Sequence, residues 1–284
     1  MKTSHKTKTT FGRRSRLPLV GAMSLGIAAS GWLAPARAEN VDSEIVLLVD
    51  IARPELSKTE FDRLLSGYAN AFTSTQVLNS IQSGVYGRIA VSMMLFADTS
   101  TQAVGVPWMT IGSAADAQSF ASMVLNVTRP NAFAPSDAGA ALTAAAASFG
   151  SETGHAGNGF ESQVQIVEVA SASSPSAAMA ASTAASRTNA LASGVDLINS
   201  LALGNFSNAI NTFYSANVIG STIQGVAATS SSSALNGTLA TKMNGLFTET
   251  VQTGATTATA AVPEPSSLLG LLPATLLLLM RRRN

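Results

Sequence analysis

Few side chains in this sequence are suited to chemistry at neutral pH. There is no cysteine, so no disulfide and no thiolate metal site, and there are two histidines, His5 and His155. His5 lies among basic residues near the start, which leaves His155 as the one imidazole a Ser-His-Asp triad would have to use. It stands in a glycine-rich stretch between Gly154 and Gly157, with no acidic or nucleophilic neighbour set by spacing. No serine sits in a Gly-x-Ser-x-Gly context and no glycine-rich phosphate loop is present, so His155 reads as a solvated loop residue and the chain as a non-enzyme. Trp108, after Pro107, reads as a packed aromatic at a strand end rather than a sugar-stacking platform. Two carboxylates stand out. Asp50 closes the apolar run Ile45–Val49, where an acid at a strand end caps local backbone N–H groups and Arg53 would neutralise it. Glu264 stands between Pro263 and Pro265, which fix their own backbone angles and push it toward an extended form suited to being read by a processing enzyme.

The elements around Glu264 form an address. After Val262-Pro263-Glu264-Pro265 come an apolar run from Leu268 to Met280 and the basic tip Arg281, Arg282, Arg283. Thirteen apolar residues make only about 20 Å of helix, short of the roughly 30 Å hydrocarbon core, which suits a temporary stop with the arginines held on the cytoplasmic side. Motif, short hydrophobic helix and basic tip together resemble the PEP-CTERM sorting signal of Gram-negative bacteria. The resemblance implies export, transient anchoring in the inner membrane, and processing by an exosortase. At the other end, Lys2, Lys6, Lys8, Arg13, Arg14 and Arg16 precede an apolar stretch from Leu17 to Leu33. Ala36-Arg37-Ala38 then supplies small residues for signal peptidase, with Glu39 first after the cut. Gly12 before Arg13-Arg14 and Ser15-Arg16 after it fit a twin-arginine signal poorly, so the general secretory route is expected.

Setting both signals aside changes the charge. The whole chain is formally +1, but ten of its 17 basic residues lie at or before Arg37 or at 281–283, leaving seven against 15 acids between 39 and 262. A net charge of about −8 at low charge density argues against nucleic acid or anionic lipid as partner. About 220 residues suffice for one sizeable domain, whose stability must come from a packed core.

Within that span strands alternate with helices. Ile45–Val49 has the continuous apolar character of a strand buried on both faces. Ser57-Lys58-Thr59-Glu60 is a capping box, with Leu56 and Phe61 as a hydrophobic staple and Phe61, Leu64, Leu65, Tyr68 and Phe72 on one helix face. Strands are expected at 88–96 and 103–109, joined as a hairpin through Asp98-Thr99-Ser100, and again at 164–169 and 195–203. Helices are expected at 114–125, 137–148, 176–192, 207–215 and 235–250. Residues 150–159 read as an exposed loop and 252–262 as a Thr/Ala-rich linker. The pattern specifies an α/β, Rossmann-like three-layer fold with a mainly parallel central sheet.

Specific residues carry a second resemblance. Ser43-Glu44-Ile45-Val46-Leu47-Leu48-Val49-Asp50, Gly87-Arg88-Ile89-Ala90-Val91, Val106-Pro107-Trp108, Ala190–Val195 and Tyr214–Gly220 resemble a von Willebrand factor A-type (vWA) domain over residues 41–251, of an uncharacterised group of secreted proteobacterial proteins. The resemblance implies a metal-ion-dependent adhesion site at the C-terminal sheet edge, built on Asp-x-Ser-x-Ser with a Thr and an Asp from later loops. Asp50 matches. The serine positions are Ala52 and Pro54, Ser136 falls at the threonine, and the later acid falls at Ala172, with Asp137 or Glu168 as substitutes. One carboxylate and one hydroxyl make a poor Mg²⁺ site, so Asp50 and Ser136 read as vestigial and no cofactor is expected. The chain is thus expected to be 1–38 signal peptide, 41–251 vWA-like domain, 252–262 linker and 263–284 sorting tail. Its expected role is a cell-surface or extracellular-matrix binding protein linked to exopolysaccharide, biofilm or surface proteins. The alternative is a periplasmic metal-dependent adhesin or assembly factor.

Overall fold

A computed structural model describes residues 38–52, 56–131, 135–173, 176–204, 207–233 and 239–261. Arg53 and Pro54, the signal region through Arg37 with Ala36, and the tail carrying Pro263, Glu264, Pro265 and Arg281–Arg283 lie outside these residues. In chain order the elements are β1 (Glu39–Asn40), β2 (Glu44–Asp50), α1 (Lys58–Phe72), α2 (Thr75–Gln82), β3 (Ile89–Phe96), β4 (Gln102–Ile111), α3 (Ala114–Leu125), α4 (Ala138–Ser148), β5 (Phe160–Glu161), β6 (Gln165–Ser171), α5 (Ala180–Ser193), β7 (Leu197–Leu203), α6 (Ser207–Asn217), β8 (Gly220–Ser221), β9 (Ser230–Ser233) and α7 (Leu239–Ala261).

The main sheet runs β4-β3-β2-β6-β7-β8, with β9 also on β7. Strands β3, β2, β6, β7 and β9 are parallel, while β4 joins β3 and β8 joins β7 antiparallel. This is the expected α/β fold with a mainly parallel central sheet. The uninterrupted apolar run of β2 follows from its position. Ile45, Leu47 and Val49 enter one core with α1, α2, α3 and α7, while Val46 and Leu48 enter a second core with α4, α5 and α6, all of them fully buried.

Local signals set the helix starts. Ser57 and Glu60 form the reciprocal capping box of α1, and Leu56 and Phe61 are both buried in the first core. The β3–β4 hairpin turns through Asp98, whose Oδ1 accepts from the Ser100 amide and hydroxyl. Helix α2, with Ser74 as N-cap, was not anticipated, nor were β1, β5, β8 and β9, because each is too short or too polar to show a hydrophobic period.

Two expectations on organisation need correction. Residues 150–159, expected as an exposed loop, begin with a 3-10 turn at Gly150–Thr153 in which Gly150 and Thr153 are buried. The span 252–261, within the expected Thr/Ala-rich linker 252–262, continues α7. The helix packs there through small residues that hydrophobicity patterns overlook: Ala255 is buried, and a Cβ at Gly254 would stand 2.7 Å from Ser43 Oγ. Among the described residues no helix is long and apolar enough to cross a membrane.

Candidate functional site

The C-terminal edge of the sheet gathers one carboxylate and several hydroxyls. Asp50 ends β2 and is 1% exposed. Its Oδ1 accepts the Ala52 amide at 2.8 Å, and its Oδ2 accepts the Ser171 hydroxyl, at the end of β6, at 2.6 Å. The Ser173 amide donates in turn to Ser171 Oγ at 3.1 Å. Burial raises the Asp50 pKa above the usual carboxylate range, opposed by hydrogen bonds from Ser171, Ala52, Ser136 and Ser173. Tyr214 of α6, 2% exposed, has its phenol pushed up by burial and then by the Asp50 charge, with Ser171 and Ser136 bonding to it. Asp50, Ser171, Ser173 and Tyr214 therefore share one buried polar cluster, with the half-buried Ser136 at its edge.

The bland reading of Asp50 as a cap on local backbone holds through Ala52; Arg53, the proposed neutraliser, lies outside the described residues. Sequence reasoning missed Ser171 and Ser173, which flank the apolar Ala172, although the alternation Ser171-Ala172-Ser173 past a strand end was visible. It also missed Arg129. That guanidinium donates to the carbonyls of Ile51, Ala52 and Leu56 and lies over the Phe61 ring at 5.7 Å, clamping the segment that leaves β2.

The suggested substitute acids do not join the cluster. Asp137 is the N-cap of α4, its Oδ1 accepting the Ala140 amide at 2.9 Å and its Oδ2 the Thr99 hydroxyl at 2.7 Å. Glu168 points to the opposite face of the sheet, because its neighbours at ±2, Ile166 and Ala170, belong to the first core, whereas Val167 and Val169 belong to the second. Its Oε1 accepts from Asn199 at 2.9 Å and from Thr250 of α7 at 2.5 Å, while its Oε2 is buried without a partner. Burial raises its pKa to about 7.

An Mg²⁺ ion asks for about six oxygens in near-ideal octahedral geometry, usually with more than one anionic ligand. Here Ala52 supplies no side-chain oxygen, the one carboxylate is buried with both oxygens engaged, and the later acidic position is occupied by serines and alanine. These residues do not fit a divalent ion. Among the described residues there is no group of three or more His, Cys, Asp or Glu that could hold a metal.

Elsewhere, His155 is exposed, with Nδ1 3.3 Å from Thr153 Oγ1. Trp108 is half-buried, its indole N–H donating to the Ser148 carbonyl at 3.0 Å and its ring tilted against Phe149 and Phe160. That is a packing role. At the N-terminal sheet edge, Glu44 is fully buried, accepts from Asn158 and Ser162, and has its pKa raised to about 8 by burial, with the nearby Glu152 carboxylate adding to the rise.

An open, mainly parallel sheet between two helical layers, with an aspartate at the end of a central strand, defines a three-layer α/β domain. Residues 40–249 match the model of the family described as "Protein of unknown function (DUF1194)", and the chain belongs to that family. Similar solved structures include a von Willebrand factor type A protein from Catenulispora acidiphila, at 10% identity and TM-score 0.44, covering 77% of this chain and 43% of that one. They also include the SpRpn10 VWA domain, at 12% identity and TM-score 0.45 over 72% of this chain and 93% of that one. A third, the conserved hypothetical protein BatB from Bacteroides thetaiotaomicron, has 12% identity and TM-score 0.41 over 74% of this chain and 99% of that one. No curated protein matches the chain.

Proposed function

We propose that this protein is an exported, non-enzymatic binding or structural module of the cell surface or extracellular matrix, linked to exopolysaccharide or surface proteins, whose vWA-like site works without a divalent ion. The observation that carries the reading is the Asp50 carboxylate, which has both oxygens occupied by the Ala52 amide and the Ser171 hydroxyl in a site with alanine at 52. In that arrangement the aspartate braces the β2 and β6 strand ends, and recognition falls to the loops around it.

Thermal unfolding of the exported protein, followed by Trp108 fluorescence in excess Mg²⁺, Mn²⁺ or Ca²⁺ and then in EDTA, tests this. A ligand at a hundred times its dissociation constant adds about 2.7 kcal/mol, a shift of several degrees. We expect no shift. A shift that Asp50→Ala abolishes would establish the metal-dependent adhesin or assembly factor in its place.

The route to the surface is proposed from the two terminal signals: cleavage by signal peptidase after Ala38, then transient anchoring and exosortase processing at Pro263-Glu264-Pro265. Glu264→Ala is expected to leave secretion intact and to stop C-terminal maturation, read as the intact mass of the protein from an exosortase-positive cell. Normal trimming of that variant would show that the tail is no sorting signal.

A further inference from the structure

The first residue after the proposed cut is built into the fold. Glu39 and Asn40 pair in parallel with Phe160 and Glu161, and the Glu39 nitrogen donates to the Gly159 carbonyl at 2.9 Å. Its side chain is held independently: Oε1 is 3.1 Å from Arg88 Nη1, and Oε2 accepts the Thr110 hydroxyl at 2.8 Å. Val41 N–H to the Glu161 carbonyl and Asp42 N–H to the Arg88 carbonyl continue the attachment toward β2. Beside it lies an open cleft lined by Ala38, Asn40, Tyr86, Glu161, Ser162 and Gln163, in which Glu161 is the only charged residue.

We propose that the chain end released by cleavage after Ala38 is itself a ligand of this site. Hydrolysis of the Ala38–Glu39 peptide puts the water's hydroxyl on the Ala38 carbonyl carbon and its proton on the Glu39 nitrogen, and the proton that the new Ala38 carboxyl group gives up at neutral pH makes that amine an ammonium. A neutral amide donor to Gly159 is thereby replaced by a charged one, beside a cleft whose one charged lining residue, Glu161, is of opposite sign, and charged donors make the stronger hydrogen bonds. Because Arg88 and Thr110 hold the Glu39 carboxylate, the new terminus is fixed from two sides. The mature chain is thus anchored at its first residue and protected from amine-directed chemistry and exopeptidases. The inference rests on the cleavage reading above.

The two are tested separately. Intact mass of the exported protein shows whether it begins at Glu39. In parallel, the full chain from Glu39 is released from an N-terminal fusion by a protease that leaves Glu39 first, and its α-amine is reductively methylated with formaldehyde and cyanoborohydride, folded and in urea. Docking predicts methylation of Glu39 about tenfold slower in the folded chain than in the unfolded one. It also predicts recovery of the fast rate in Arg88→Ala/Thr110→Val while Lys58 reacts unchanged. Arg88→Met, which loses the ion pair and keeps the Thr110 hydrogen bond, gives an intermediate rate and serves if the double variant does not fold. A folded-state rate equal to the unfolded one overturns the docking alone. An intact mass starting at another residue overturns the cleavage reading and the natural role built on it.

Discussion

Glu168 lies mid-strand in β6 and is 2% exposed, with two donors on Oε1 and none on Oε2. A carboxylate held so far from water keeps its proton: burial raises Glu168 from 4.5 to about 7 and Glu44 from 4.5 to about 8. Because the folded-state values are the higher ones, the contribution of these groups to stability is fully present below pH 4.5 and is lost as pH rises through 7 to 8. The unfolding midpoint is therefore expected to fall between pH 5 and pH 9, the reverse of a protein stabilised by ion-paired carboxylates. Glu168→Gln, which keeps the shape and abolishes that group's titration, should make the fall shallower and leave the part due to Glu44; a midpoint that rises over the same range would contradict the burial of these acids. At Asp50 the legible part was the residue and its capping role. Its partner Ser171 was not legible, because a hydroxyl 121 positions away is chosen by strand pairing and by no local pattern.

Helix α7 shows how small residues place an element. Its apolar stripe of Leu239, Met243, Leu246, Phe247 and Val251 ends in Ala255, with Gly254 facing Ser43. On α1, a Cβ on Gly67 would stand 2.4 Å from Met243 Sδ, the flexible part of a side chain that can shift, whereas at Gly254 it would also meet the fixed Ser43 Cβ at 2.8 Å. Gly254→Ala is expected to destabilise the fold by about 1–3 kcal/mol through overpacking. Gly245→Ala, at an exposed helical position with nothing within 4 Å of the added carbon, should stabilise it by roughly 0.5–1 kcal/mol. Chemical denaturation of the two variants side by side checks both signs. The capping box and apolar face of α1 were legible because they are local. The C-terminal third of α7 was not, since Thr and Ala become an interface only when a partner surface is presented to them.

For the whole molecule, the two cores depend on the central strands being covered on both sides. The first core closes only when α7 lies across α1 and α2. Deleting 252–261 should therefore lower the unfolding midpoint by several degrees, by removing the burial of Ala255 and the cover over Ser43. An unchanged midpoint would mean that the span is the linker its composition suggested.

The sequence by itself determined the alternation of strands and helices, the double burial of β2, the β3–β4 hairpin and the capping box of α1. All of these are set by neighbours a few residues apart, through periodicity, capping and composition. The tertiary structure alone decided which hydroxyls satisfy Asp50, that Thr99 bonds to Asp137, and that Glu168 serves the opposite core. It also decided that Arg129 clamps the segment after β2 and that Glu39 is held by Arg88, Thr110 and Gly159. Those partnerships join residues tens to more than a hundred positions apart. Strand register, which follows from the packing of the whole sheet, brings them together.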